Sequence, residues 1–102
     1  MTPSHTVRAA ALDLLDFIEA SPSPWHAVAT ASSRLAAQGF RLLKEDERWQ
    51  LEPGGRYCVV RGGASVVAFV MGSRPLAETG FRLVGAHTDS PGLRLKPRAA
   101  LV

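Results

Sequence analysis

The sequence predicts an α/β fold, two N-terminal helices followed by a mixed β-sheet. Three observations carry this. Two segments with apolar residues at helical spacing are separated by Ser21-Pro22-Ser23-Pro24. Two β-rich runs are joined by Arg61-Gly62-Gly63-Ala64. A further apolar run, Phe81 to Val84, ends in Gly85-Ala86-His87.

Val7, Ala10, Ala11, Leu14, Leu15 and Ile18 recur at helical spacing, with Asp13, Asp16 and Glu19 between them. They predict an amphipathic helix from about Thr6 to Ala20. The two prolines end it, because each disfavours helical geometry in the preceding residue. Ser23 is a suitable N-cap and Pro24 a suitable first helical residue. A second helix follows, from about Pro24 to Gln38, with Gly39 as its stop. Its expected buried side is Trp25, Val28, Ala29, Leu35 and Ala36. Helix one is expected to pack on it through Leu14, Leu15, Ile18 and Val28. His26 lies in its first turn, where a local hydrogen bond or packing explains it better than metal ligation.

Phe40 to Leu43 predicts a short strand. Lys44-Glu45-Asp46-Glu47-Arg48 reads as a solvated connection, with Trp49 anchoring it to the core. Pro53-Gly54-Gly55 is a turn. Arg56 to Val60 and Ser65 to Met71 form a hairpin around Gly62-Gly63. Apolar residues on both faces of the second strand predict a sheet covered on both sides. Phe81 to Ala86 predicts a buried strand that ends at His87. Leu93, Leu95 and Pro97 alternate with Arg94, Lys96 and Arg98, which predicts a further strand with a basic face. The apolar run Ala99-Ala100-Leu101-Val102 has no cap or polar tail, and a single segment over residues 1–102, cut from a longer domain, is the expectation.

A chain of 102 residues suffices for one small core. Its 46% hydrophobic and 21% charged content excludes a disordered composition. No apolar run has the length of a membrane span, and Met1 to Ala9 lacks a signal-peptide pattern. The single cysteine, Cys58, cannot form an internal disulfide and reads as a small buried hydrophobe. These features favour the cytoplasm. Net charge is +3, but ten of the twelve basic residues are Arg, scattered from Arg8 to Arg98. Without a basic block or interleaved aromatics, they support nucleic-acid binding weakly. Neither a membrane nor a nucleic-acid partner is expected.

His87 and Asp89 carry the chemistry. Open α/β sheets place ligands at the carboxyl ends of their strands. Neutral imidazole suits zinc, and a ligating histidine usually gives its other ring N–H to a carboxylate. Residues i and i+2 of a strand share a face, so His87 and Asp89 have the types and spacing for that pair. Taken alone, His-x-Asp is short and common, and a surface histidine beside a turn aspartate describes it better. The neighbouring stretches change that weighing.

Three stretches carry a family resemblance. They are Leu14 to Ile18 leading to Ser21-Pro22-Ser23-Pro24-Trp25-His26-Ala27-Val28; Gly39-Phe40 through Leu43-Lys44-Glu45 to Trp49; and Gly80-Phe81 through Gly85-Ala86-His87-Thr88-Asp89-Ser90-Pro91-Gly92-Leu93-Arg94. In this order they resemble the N-terminal part of the aspartyl aminopeptidase family, cytosolic zinc metallopeptidases with a two-metal site. The resemblance spans about Leu12 to Arg98. It implies an incomplete part of an α/β/α metallopeptidase catalytic domain. It also implies that His87 ligates zinc and that Asp89, counted with the catalytic residues, orients it. The other ligands, a bridging carboxylate and a glutamate base would lie beyond Val102. The implied reaction removes N-terminal, acidic residues from peptides by attack of water activated by two zinc ions, in a homo-oligomer. The 102 residues alone are expected to be inactive, since His5, His26 and Cys58 do not complete a site. The alternative readings are a noncatalytic protein-interaction module and a small basic nucleic-acid-binding domain.

Overall fold

A computed structural model describes residues 4–98 and residue 100. The element order is α1 (His5–Glu19), α2 (Pro24–Ala37), β1 (Arg41–Leu43), β2 (Arg56–Arg61), β3 (Ser65–Val70) and a short α3 (Leu76–Thr79). Ser4 caps α1, its side chain accepting from the Val7 N–H at 3.3 Å. His5 is the first residue of that helix, one position before the expected start at Thr6. Ser23 caps α2 in the same way, with Pro24 at the first helical position. Gly39 follows α2 at φ 84°, a left-handed conformation that glycine adopts without a Cβ penalty.

The sheet order is β1-β2-β3, and it is mixed. β1 pairs parallel to β2, with Leu42 opposite Cys58. β2 and β3 form the antiparallel hairpin, with Arg61 opposite Ser65 and Arg56 opposite Val70. A parallel pair requires a crossover of about a dozen residues or more. Lys44 to Gly55 supplies it without a helix. Trp49 ties this crossover down: its indole N–H donates to the Lys44 carbonyl at 2.7 Å, and its ring centroid lies 6.3 Å from that of Phe69. The charged run is more than solvated, because Glu45 pairs with Arg61 across the crossover.

Strand alternation puts Tyr57, Val59 and Arg61 on one face with Phe69, Val67 and Ser65. Trp49 and Glu45 reach that face, which leaves the Cys58 face to α2. The buried apolar residues among those described are Val28, Tyr57, Cys58 and Val59. Val28 and Cys58 were expected in the core and lie there. Burial in apolar surroundings pushes the Cys58 thiol pKa up.

Several expectations fail, for one shared reason. Leu14, Leu15 and Ile18 are exposed, so they do not form the α1–α2 seam. That seam is built from Asp13, Phe17 and Ala20, at spacings of four and three residues. Arg34 of α2 donates to Asp13 at 2.9 Å and lies 5.3 Å above the Phe17 ring, while Thr30 donates to the Ala20 carbonyl at 3.3 Å. Trp25, Ala29 and Ala36 are also exposed on α2. Val67 and Val70 are exposed, so β3 is not covered on both sides among the described residues. Phe81 to Ala86 is no strand, and its Phe81, Leu83 and Val84 are 83%, 90% and 98% exposed. Leu93 to Arg98 forms no strand either. Periodicity identifies an apolar face but not its partner, and no partner for these faces occurs among the described residues. The radius of gyration, 18.3 Å, records the same fact, since a compact chain of 100 residues has about 13 Å. Of the apolar run 99–102, only Ala100 lies within the described residues.

Candidate metal centre

His87 lies on a segment without regular secondary structure after Gly85-Ala86, not at the end of a hydrogen-bonded strand. The ladder that would have delivered it is absent because Phe81 to Ala86 pairs with no described strand. The geometry about the ring is nevertheless local and defined. His87 Nδ1 lies 2.7 Å from the Asp89 backbone carbonyl and 3.2 Å from Asp89 Oδ1. Both oxygens are acceptors when the carboxylate is ionised. The network therefore assigns the proton to Nδ1, leaving the Nε2 lone pair free. His87 and Asp89 side chains are 78% and 83% exposed.

This donor chemistry fits one ligand of a zinc site: a neutral imidazole with its outer nitrogen open and its inner N–H engaged. The described residues contain no group of three or more His, Cys, Asp or Glu side chains that could hold a metal ion. His26 sits apart on α2, with Nδ1 2.6 Å from Ser23 Oγ, which matches the local role expected for it. Arg94, Lys96 and Arg98 are exposed. A recess of about 400 Å³ lined by Trp49, Val59, Val67 and Phe69 includes neither His87 nor Asp89.

One contact escaped the sequence reading. The Thr88 hydroxyl donates to the Ala64 carbonyl at 2.9 Å, joining the His87 segment to the hairpin turn. A hydroxyl between two candidate site residues was the available signal, but its partner is 24 residues away.

The family model for the aminopeptidase I zinc metalloproteases (M18) matches residues 17–102. The chain belongs to the M18 aminopeptidase family. Probable M18 family aminopeptidase 2 of Stutzerimonas stutzeri is 52% identical over 88 residues, covering 86% of this chain and 20% of its own length. The protein of the same name in Pseudomonas paraeruginosa is 55% identical over 84 residues, covering 82% of this chain and 20% of its own. The M18 segment thus spans about a fifth of these relatives. Among solved structures, the crystal structure of prApe1 superposes with a TM-score of 0.70 at 32% identity, covering 78% of this chain and 17% of that one. The S. cerevisiae mApe1 dodecamer gives 0.60 at 29% identity, covering 68% and 16%. Two helices followed by a mixed three-stranded sheet are therefore an incomplete α/β part of the M18 fold.

Proposed function

We propose that the protein carrying this M18 segment is a zinc-dependent aminopeptidase and that residues 1–102 form one N-terminal segment of its catalytic domain. His87 contributes a zinc ligand through Nε2, and Asp89 holds the ring from the Nδ1 side. The observation that carries this reading is the His87–Asp89 geometry, with Nδ1 engaged by acceptors and Nε2 open. The family, described as zinc metalloproteases, supports the choice of metal.

What zinc supplies when bound is Lewis acidity toward a peptide carbonyl and toward water. A catalytic zinc site takes about three protein ligands. One imidazole falls short of that number, so the remaining ligands, a second ion and the general base belong to parts of the protein outside residues 1–102. The isolated segment should accordingly bind zinc weakly and hydrolyse nothing. The substrate class is a peptide with an acidic N-terminal residue, on family resemblance. A homo-oligomer is the assembly, by analogy with the neighbour described as a dodecamer. The compartment is the cytoplasm, on the same resemblance.

The test is His87→Ala in the full-length protein, assayed on aspartyl and glutamyl peptides with zinc content measured in parallel. Activity should vanish and zinc content should fall. Full activity with unchanged zinc would remove His87 from the site.

A further inference from the structure

We propose that Thr88 is a positioning residue, whose hydroxyl ties the segment bearing His87 and Asp89 to the β2–β3 hairpin and thereby sets how the imidazole is presented. This rests on the reading of His87 as a zinc ligand. From residue 81 to residue 98, Thr88 alone is half-buried and the others are exposed. Its 2.9 Å bond to the Ala64 carbonyl is the only hydrogen bond, among the described residues, that joins this stretch to the rest of the molecule.

The acceptor end of this tie is fixed. Ala64 closes the turn between Arg61 and Ser65, which face each other across the hairpin. Arg61 is held by Glu45, and Gly63 abuts the Trp25 ring of α2. The donor end is set by the exposure pattern. Thr88 is half-buried against the hairpin, while the His87 and Asp89 side chains on either side of it stay 78% and 83% exposed. Among the described residues no ladder bond holds this segment, so the Thr88 hydroxyl is its tie to the hairpin, and a site loses affinity when its supporting contacts are loose.

The experiment uses the full-length protein with Thr88→Val, which keeps the shape and removes the hydroxyl, and Thr88→Ser, which keeps the hydroxyl. Zinc affinity is measured by competition with a chromophoric chelator, alongside kcat, KM and the Tm of the metal-free protein. Thr88→Val should bind zinc about tenfold more weakly, the lower end of losses when a ligand's supporting partner is removed. Its kcat should fall with KM little changed, and Thr88→Ser should restore both affinity and kcat. If Thr88→Val does not fold, Thr88→Ala gives the same reading with less bulk. Wild-type zinc affinity in Thr88→Val, or a loss that Thr88→Ser fails to recover, overturns the proposal. A lower Tm with unchanged affinity also overturns it. His87→Ala separates the two readings. Zinc lost there but retained in Thr88→Val removes only the positioning role, whereas zinc retained in His87→Ala removes the ligand reading itself.

Discussion

His87 Nδ1 is nearer to the Asp89 backbone carbonyl, at 2.7 Å, than to the Asp89 carboxylate, at 3.2 Å. The main chain therefore shares the work of holding the ring. A carbonyl oxygen only accepts, so it selects the Nδ1–H tautomer regardless of the side chain at position 89.

That geometry makes Asp89→Asn a mild change in the full-length protein. Asparagine keeps the carbonyl bond and loses only the charged acceptor. Zinc affinity should drop about tenfold, at the low end for an orienting partner. It should drop far less than in His87→Ala. Chelator competition on the two variants decides it. A loss in Asp89→Asn as large as in His87→Ala would show that the carboxylate, not the carbonyl, fixes the ring.

The hairpin turn offers a test by comparison. Gly62 and Gly63 both have positive φ, at 60° and 72°. A Cβ at Gly62 would meet open space, but one at Gly63 would sit 3.2 Å from Trp25 Cδ1. Gly62→Ala should cost about 1 kcal/mol, the strain of a left-handed non-glycine residue. Gly63→Ala should cost more, because the Trp25 ring must also move. Thermal unfolding of the two full-length variants measures the difference. Equal losses would mean that the Trp25 contact yields freely.

The elements with local causes were legible in the sequence. The Ser23-Pro24 cap, the Gly39 stop and the Gly62-Gly63 hairpin depend on backbone preferences within a few residues, and each stands where expected. The His87–Asp89 proximity was legible for the same reason, since the two residues are two apart. The failures concern partners. Leu14, Leu15 and Ile18 made a clear apolar stripe, yet the seam with α2 runs through Asp13 and Phe17, because Arg34 bonds one and covers the other. Phe81 to Val84 has the composition of a buried strand, but a strand needs a neighbour, and composition does not name one. The Thr88–Ala64 bond could not be read at all, because nothing local links a threonine to a carbonyl 24 residues earlier.

Glu45 on the crossover pairs with Arg61 at the end of β2, with Arg61 Nε 3.0 Å from Glu45 Oε1. The hydrogen bonds from the Arg61 guanidinium, opposed by desolvation and aided by its charge, hold the Glu45 pKa below its ordinary value. A carboxyl whose pKa is depressed on folding stabilises the folded state above the unfolded pKa. That contribution is lost as pH falls through the depressed folded value. The Glu45 and Arg61 side chains are 43% and 79% exposed, so solvent screening keeps the effect small. Full-length Glu45→Gln should therefore unfold at a slightly lower temperature than the parent at neutral pH. The gap should narrow as pH drops below the usual glutamate range, because the parent carboxyl is then also uncharged. It should narrow at neutral pH in about 1 M salt too, where the Debye length is about 3 Å. Paired melting curves at neutral pH, at acid pH where both proteins remain folded, and at high salt read this directly. A gap that persists unchanged under both conditions would show that Glu45 holds the crossover by packing and shape. The charge of Arg61 would then have no part in fixing the hairpin to which Thr88 is tied.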